Sequence, residues 1–298
     1  MQVGIVGGTG FVGGYLVDAL LRHGHGVSVL VRPGSEQKVR QPDKVRIVAG
    51  DIDSPDSLAA VLAGCDAAIY NVGLLREFPR RGITFEKAQY QGVVDTVAAA
   101  KVAGVRRLLL MSAIGVKDPG TKYQSTKYRA EQHALASGLD VTVLRPSVIF
   151  GDPCGTMEFV TQLHNDMVDV PVPAVAFPGV RLSPVSVIDV ADAFCAALVT
   201  PATVGKTIEL AGPETLEWRK IIERIAAAVG RNKWLLPMPL WVMRVGATLF
   251  DWLPFYPVTR DQLTMLQEGN TGTAEALEAL IGREAQALSS SSLHYLKC

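Results

Sequence analysis

Gly7-Gly8-Thr9-Gly10-Phe11-Val12-Gly13 is the stretch on which the reading of this chain turns. It follows the short apolar run Val3-Gly4-Ile5-Val6 and opens a helical pattern that extends from Phe11 to Arg22. Counted from Gly8 it satisfies GxGxxG, and counted from Gly7 it satisfies GxxGxxG. Glycines at such positions allow a tight turn and let the backbone come close to a pyrophosphate. The N-terminus of the following helix adds unpaired N–H groups and a partial positive charge. A glycine pattern alone is weak. Here a strand precedes it, a helix follows, and the next strand begins at Val27, which is the context a dinucleotide-binding turn needs.

Outward from that turn, strand and helix patterns alternate. Strands are expected at Val27–Val31, Val45–Ala49, Ala67–Tyr70, Arg107–Met111 and Val141–Leu144, with helices at Thr84–Ala103 and Lys122–Ser137. The strands read as continuous apolar runs, the mark of a parallel sheet covered on both faces. The fold class is therefore α/β, a doubly wound parallel Rossmann sheet, with its ligand expected at the carboxyl ends of the strands. After Arg145 the alternation weakens into a proline- and glycine-rich stretch to Pro184. A helix over Val187–Leu198, a strand over Lys206–Leu210 and a helix over Glu214–Val229 follow. Residues 1–150, rejoined by 184–200, are expected to form the cofactor-binding core. Residues 151–183 and 201–298 are expected to form a smaller, discontinuous C-terminal substrate lobe, with a loosely held tail from Leu277.

Of the 298 residues, 48% are hydrophobic and 19% charged, enough apolar material for a sizeable core and against disorder. Lysine plus arginine balance aspartate plus glutamate at 29 each, so no general field draws in a polyanion, and nucleic acid is dropped as a partner. Cys65, Cys154, Cys195 and Cys298 are scattered without metal-ligand spacing, and His23 and His25 flank a turn glycine; no metal is expected. A strand pattern begins at Gln2 with no basic segment and apolar run ahead of it, so a cytoplasmic location is expected.

The second strand ends at Val31, where a carboxylate would serve ribose hydroxyls; this chain has Arg32. A guanidinium suits a 2′-phosphate and cannot accept a hydroxyl proton, so NADP(H) is the preferred cofactor, with NAD(H) the alternative. Asp51, with Ile52 beside it, follows the third strand. It either accepts a hydrogen bond from the adenine amino group or caps a short helix.

Tyr123-Gln124-Ser125-Thr126-Lys127 puts tyrosine and lysine on one helix face. A phenol titrates near ~10 in isolation, and a neighbouring ammonium draws that value down toward proton transfer with a substrate oxygen. Ser112 follows the strand ending at Met111 and is expected to face the same crevice. The competing structural reading pairs Lys127 with Glu131 on a partly exposed helix.

With these residues in place, the chain resembles an extended or atypical short-chain dehydrogenase/reductase of the NAD(P)-dependent epimerase/dehydratase group. Arg145-Pro146-Ser147 and Pro184-Val185-Ser186-Val187-Ile188-Asp189-Val190-Ala191 extend the likeness. Met111-Ser112-Ala113-Ile114-Gly115, Arg145 to Gly151 and Thr259-Arg260-Asp261-Gln262-Leu263 make it most similar to the branch of the NAD(P)H-binding accessory subunit of respiratory complex I. The resemblance implies that Ser112, Tyr123 and Lys127 are the catalytic trio, and that Lys127 also holds the nicotinamide ribose. It also implies that Pro146 and Val148 line the nicotinamide and that Asn71, Val72 and Gly73 lie under the cofactor. Members of this branch often bind the nucleotide without a known reaction. An oxidoreductase or epimerase acting on a small molecule therefore stands beside a non-catalytic NADP(H)-binding protein that senses redox state or stabilises a membrane-associated assembly.

Residues 234–257 are dense in apolar side chains, Trp234, Trp241, Phe250 and Trp252 among them, but prolines and charges interrupt the run. It falls short of the ~20 mostly uninterrupted apolar residues of a transmembrane helix. Three readings stand: the wall of an apolar substrate pocket, a docking surface for a protein or membrane face, and core of the small lobe. The inward arrangement is the one expected.

Overall fold

Strands that are apolar on both faces need cover on both. The computed structural model, which describes residues 1–74, 76–238 and 260–297, shows how these strands obtain it. The first half of the chain forms β1 (Gln2–Val6), α1 (Phe11–Arg22), β2 (Gly26–Val31), β3 (Arg46–Ala49), α2 (Pro55–Leu62), β4 (Ala67–Tyr70), α3 (Gly92–Val102), β5 (Arg107–Met111), α4 (Lys122–Leu135) and β6 (Asp140–Pro146). Beyond these come α5 (Phe159–Leu163), α6 (Val187–Val199), β7 (Thr207–Leu210), α7 (Trp218–Ala228), α8 (Arg260–Glu268) and α9 (Glu275–Ile281).

The sheet runs β7-β6-β5-β4-β1-β2-β3, every neighbouring pair parallel. This is a doubly wound Rossmann sheet, the fold class expected. One face is closed by α1 and α6, where Leu16, Val17 and Leu20 share a core with Val190 and Phe194. Each such buried aliphatic side chain contributes roughly 1.5–3 kcal/mol relative to exposure. The other face is closed by α2, α3 and α4 through Leu58, Leu62, Val93, Val97, Ala130 and Ala134. The strand order reverses between β1 and β4, so the connections leaving their carboxyl ends part in opposite directions and open a crevice there.

A third cluster sits apart from the sheet, built by Phe150, Val160, Leu163, Phe177, Trp218, Ile221 and Ile225. Three short strand pairs frame it: Ile149–Phe150 with Val185–Ser186, Arg181–Leu182 with Leu216–Glu217, and Ala174–Ala176 with Leu235–Pro237. Two segments after residue 201 pack with the sheet: β7 extends its edge, and Leu277 of α9 enters the core beside α6.

Two expectations are corrected here. The tail from Leu277 is held firmly, because Leu277, Leu288 and Leu293 are all buried, the last two in the lobe core. The helix expected over Thr84–Ala103 carries a π turn at Glu86–Gln91 before α3. The fully buried Tyr70 explains it: its hydroxyl donates to the Ala88 carbonyl at 2.5 Å, and a side chain at Gly92 would collide with that hydroxyl. An inserted donor of this kind displaces the regular backbone ladder, and such π turns cluster near functional sites.

Candidate functional site

The glycine turn is dictated by space. Gly7 has φ +96°, and a Cβ there would stand 2.7 Å from the Asn71 carbonyl oxygen at the end of β4. A Cβ on Gly13 would stand 2.2 Å from the Gly7 carbonyl oxygen. The turn is therefore pressed against both β4 and the first turn of α1. Among the described residues no side chain caps α1 at Gly10, and no acidic residue lies in its first turn, so its N–H groups and positive dipole end face the crevice. A backbone cradle with an open helix N-terminus fits a dinucleotide pyrophosphate.

Beside this turn a cleft of about 370 Å³ opens at the carboxyl ends of β1–β4. It brings together Gly7, Thr9, Arg32, Asp51, Ile52, Asn71, Val72 and Gly73. Gly8, Gly10, Phe11, Val12 and Gly13 complete the loop and first helical turn without lining the cleft itself. Asp51 is not the cap of α2: that place is taken by Ser54, whose side chain accepts from the Ser57 N–H, while Asp51 faces the cleft.

Ser112, Tyr123 and Lys127 lie outside the cleft lining, further along the carboxyl edge. All three are buried. Thr121 and Gln124 form a capping box that fixes the start of α4 and with it the position of Tyr123. Lys127 Nζ donates to the Met111 carbonyl at 3.2 Å, which sets it beside Ser112. The Ser112 Oγ is buried with no hydrogen-bond partner among the described residues. Buried hydroxyls are seldom left so. Pro146 is buried at the end of β6, and Val148 packs against the lobe core.

The electrostatics differ from the expected pattern. Burial pushes the Tyr123 phenol above its ordinary value, where the lysine was expected to draw it down. Burial also lowers the Lys127 ammonium to about 8, with Glu131 opposing the shift. Desolvation disfavours both charged forms, and it outweighs an ammonium that sits 5.8 Å from the ring centre. The pairing of Lys127 with Glu131 does not form either. Arg145 takes the Glu131 carboxylate through two hydrogen bonds of 2.9 and 2.5 Å.

Residues 7–201 match the family described as NAD(P)H-binding. The chain belongs to that family. Among relatives of this NAD(P)H-binding chain, the mitochondrial NADH dehydrogenase [ubiquinone] 1 alpha subcomplex subunit 9 of Arabidopsis thaliana is 28% identical, covering 92% of this chain and 70% of the relative. The ceramide reductase of Caulobacter vibrioides is 27% identical, covering 84% of this chain and 78% of the relative. In fold, the NADPH-dependent quinone oxidoreductase of Escherichia coli superposes with a TM-score of 0.75 at 16% identity, covering 99% of each chain.

The sequence reading of this NAD(P)H-binding protein missed three contributors. Arg81, from the β4–α3 connection, lines the cleft together with Arg32. Lys87 of the same connection pairs with Asp53 across the cleft. Glu268 of α8 accepts from Lys117 and from Gln124, each at 2.7 Å, and so ties the C-terminal region to the start of α4. Arg80-Arg81-Gly82 was the one visible signal for the first, and the other two carry none. Of the apolar run 234–257, Trp234 is 82% exposed and Leu236 55% exposed. Trp241, Phe250 and Trp252 lie outside the described residues. Among the described residues no helix is long and apolar enough to cross a membrane, and no cluster of three or more His, Cys, Asp or Glu side chains could hold a metal ion.

Proposed function

We propose that this chain is an NADP(H)-dependent oxidoreductase, or an epimerase working by the same chemistry, in which Tyr123 exchanges a proton with a substrate oxygen held by Ser112. The observation that carries the reading is the Ser112 hydroxyl, buried and without a partner among the described residues, beside Lys127 on the carboxyl edge that also holds the cleft. A bound nicotinamide supplies or accepts the hydride. Pro146 and Val148 are assigned to its wall; Gly7–Gly13 to the phosphates; Asn71, Val72 and Gly73 to the floor under the cofactor; Asp51 and Ile52 to the adenine; and Arg32 to a 2′-phosphate. The substrate lobe is assigned to residues 151–183 and 201–298, apart from β7 and α9, which pack with the sheet.

Burial keeps the Tyr123 phenol protonated at neutral pH. A protonated phenol gives its proton to a carbonyl oxygen that is gaining electrons, so reduction is the direction these residues favour. Reduction is also the activity in the name of the Caulobacter relative. Lys127 places positive charge where the tyrosine oxygen becomes anionic, and so shares the cost of that ionisation.

A second reading has its own observation: relatives from Arabidopsis thaliana and Mus musculus are named as subunits of an NADH dehydrogenase. On that reading the chain binds NADP(H) without consuming it, in an assembly. Steady-state NADPH consumption with ketone, aldehyde and quinone panels separates the two. Turnover with any class supports the enzyme; tight NADPH binding with no consumption supports the second reading.

A further inference from the structure

The β4–α3 connection is built more tightly than a surface loop requires. Phe78 and Ile83 exchange backbone hydrogen bonds of 2.8 and 3.2 Å, and Gly82, at φ +69°, closes the small hairpin. The Glu77 carboxylate accepts the Phe85 N–H at 2.9 Å, and the buried Gln89 side chain donates to the Leu74 carbonyl at 3.0 Å. The Lys87–Asp53 ion pair then draws this connection toward the β3–α2 side of the cleft, the side that carries Arg32 and Asp51. The result is a pinned hairpin that presents Arg81 to the cleft.

Arg81 and Arg32 line one cleft, and neither forms an ion pair among the described residues. Several guanidiniums elsewhere do hold a carboxylate, among them Arg22, Arg40, Arg129, Arg145, Arg224 and Arg283. Arg81 rests its guanidinium over the Phe78 ring, 6.0 Å from its centre, and holds no carboxylate among the described residues. Two planar cations in the lining of one cleft invite a multiply charged anion with several acceptor oxygens. The pyrophosphate is not the best candidate, because the glycine turn and the N-terminus of α1 already supply its donors. The anion that belongs at the Arg32–Asp51 end is the one on the adenosine ribose.

We propose that Arg81 is a second reader of the 2′-phosphate, closing on it from the hairpin while Arg32 holds it from the end of β2. This rests on the cofactor reading above and extends it to a residue outside the glycine-turn and β2 signals. It makes the β4–α3 hairpin a determinant of NADPH over NADH.

The test is calorimetric titration of the full chain with 2′,5′-ADP and with 5′-AMP, for wild type, Arg81→Ala, Arg81→Lys and Arg32→Ala. Arg81→Ala is expected to weaken 2′,5′-ADP about tenfold or more, as loss of a charge-assisted phosphate contact does, and to leave 5′-AMP within about twofold. Arg81→Lys is expected to fall between, because it keeps the charge and loses the planar fork. Arg81→Ala weakening both nucleotides equally would place Arg81 on the shared adenosine or 5′-phosphate and overturn the proposal. So would a variant that binds both as wild type does, while Arg32→Ala alone abolishes the preference; the cofactor reading then stands without Arg81. If wild type binds neither probe, nor NADPH nor NADH, the cofactor reading itself fails and takes this one with it.

Discussion

The Lys127 ammonium lies 5.8 Å from the centre of the Tyr123 ring, one helical turn along α4, and donates to the Met111 carbonyl rather than to a carboxylate. Glu131, the acid next along that helix face, is occupied by Arg145 of β6. The sheet thus engages the carboxylate nearest along that face and leaves the lysine buried beside a phenol, with Glu131 acting on it only at a distance. That arrangement is costly in the protein alone, and the cost has consequences that can be measured.

The first concerns stability against pH. Lys127 titrates at about 8 in the folded chain against an ordinary 10.5. Below pH 8 both folded and unfolded chains hold the proton, and the burial penalty is felt in full. Between 8 and 10.5 the unfolded chain binds the proton and the folded chain does not, so this group makes stability rise with pH across that window. Lys127→Met removes the charge and keeps the length. It is expected to stabilise the chain by roughly 2–3 kcal/mol at pH 7, with the advantage fading by pH 10. Urea unfolding of both chains at the two pH values checks this; an advantage that does not change with pH would dismiss the buried charge as its source.

The Arg145–Glu131 pair is the counterpart. Glu131 is 1% exposed and Arg145 19% at their side chains, and two aligned hydrogen bonds join them. Glu131→Ala strands a largely buried guanidinium and is expected to cost about 3–5 kcal/mol. The double variant Glu131→Leu/Arg145→Met removes both charges and is expected to recover most of that loss. A double variant no more stable than Glu131→Ala would show that packing, not charge, sets the cost.

Tyr123→Phe addresses the chemistry. The ring packs edge-on against Phe85 at 5.7 Å, a contact the phenylalanine keeps, so fold and cofactor affinity are expected to stay within about twofold. Any carbonyl reduction is expected to drop by ~10²–10⁴-fold, the contribution of a positioned acid. Initial rates at saturating NADPH give the comparison. A variant that retains activity within a few-fold assigns the proton to another group.

What the sequence made legible follows from where local signals are strong. The glycine turn, α1, β4 and β5 are found within a residue or so of their expected limits, because steric space and burial on both faces leave the chain no other local choice. The same patterning carries the doubly wound class but not the strand order: β7, read from the sequence as part of the C-terminal lobe, joins the edge of the sheet. Tertiary demands were not visible. The π turn answers to Tyr70, which lies 18 residues from its acceptor Ala88. The partner of Glu131 comes from the neighbouring strand, where helix spacing had offered Lys127. Burial, which raised the Tyr123 phenol instead of lowering it, is a property of the whole packed edge and leaves no mark in a Tyr-x-x-x-Lys spacing. Arg81 was missed because its hairpin matches no motif, though its place in the cleft is as direct as that of Arg32.

The glycine turn offers the sharpest separation of fold from ligand. At Gly13 an added Cβ meets only backbone, 2.2 Å from the Gly7 oxygen and 2.7 Å from the Gly8 Cα, and backbone cannot rotate aside. Gly13→Ala must therefore move the turn, and it is expected to lower both stability and NADPH affinity. At Gly10 the nearest atom to an added Cβ is 3.7 Å away, and the backbone, at φ −82° and ψ 175°, is one that alanine adopts freely. Gly10→Ala is expected to change stability by no more than about 1 kcal/mol, the cost of a poorer helix cap. Yet Gly10 is the exposed residue where the turn meets the open end of α1, so a methyl there stands in the path of a pyrophosphate approaching the backbone. NADPH affinity is expected to fall at least about tenfold, measured by fluorescence titration alongside thermal unfolding. A Gly10→Ala chain that melts like wild type and binds NADPH like wild type would mean that no phosphate rests on this turn. A chain that melts like wild type and has lost the nucleotide would tie the turn to binding without any confusion from the fold.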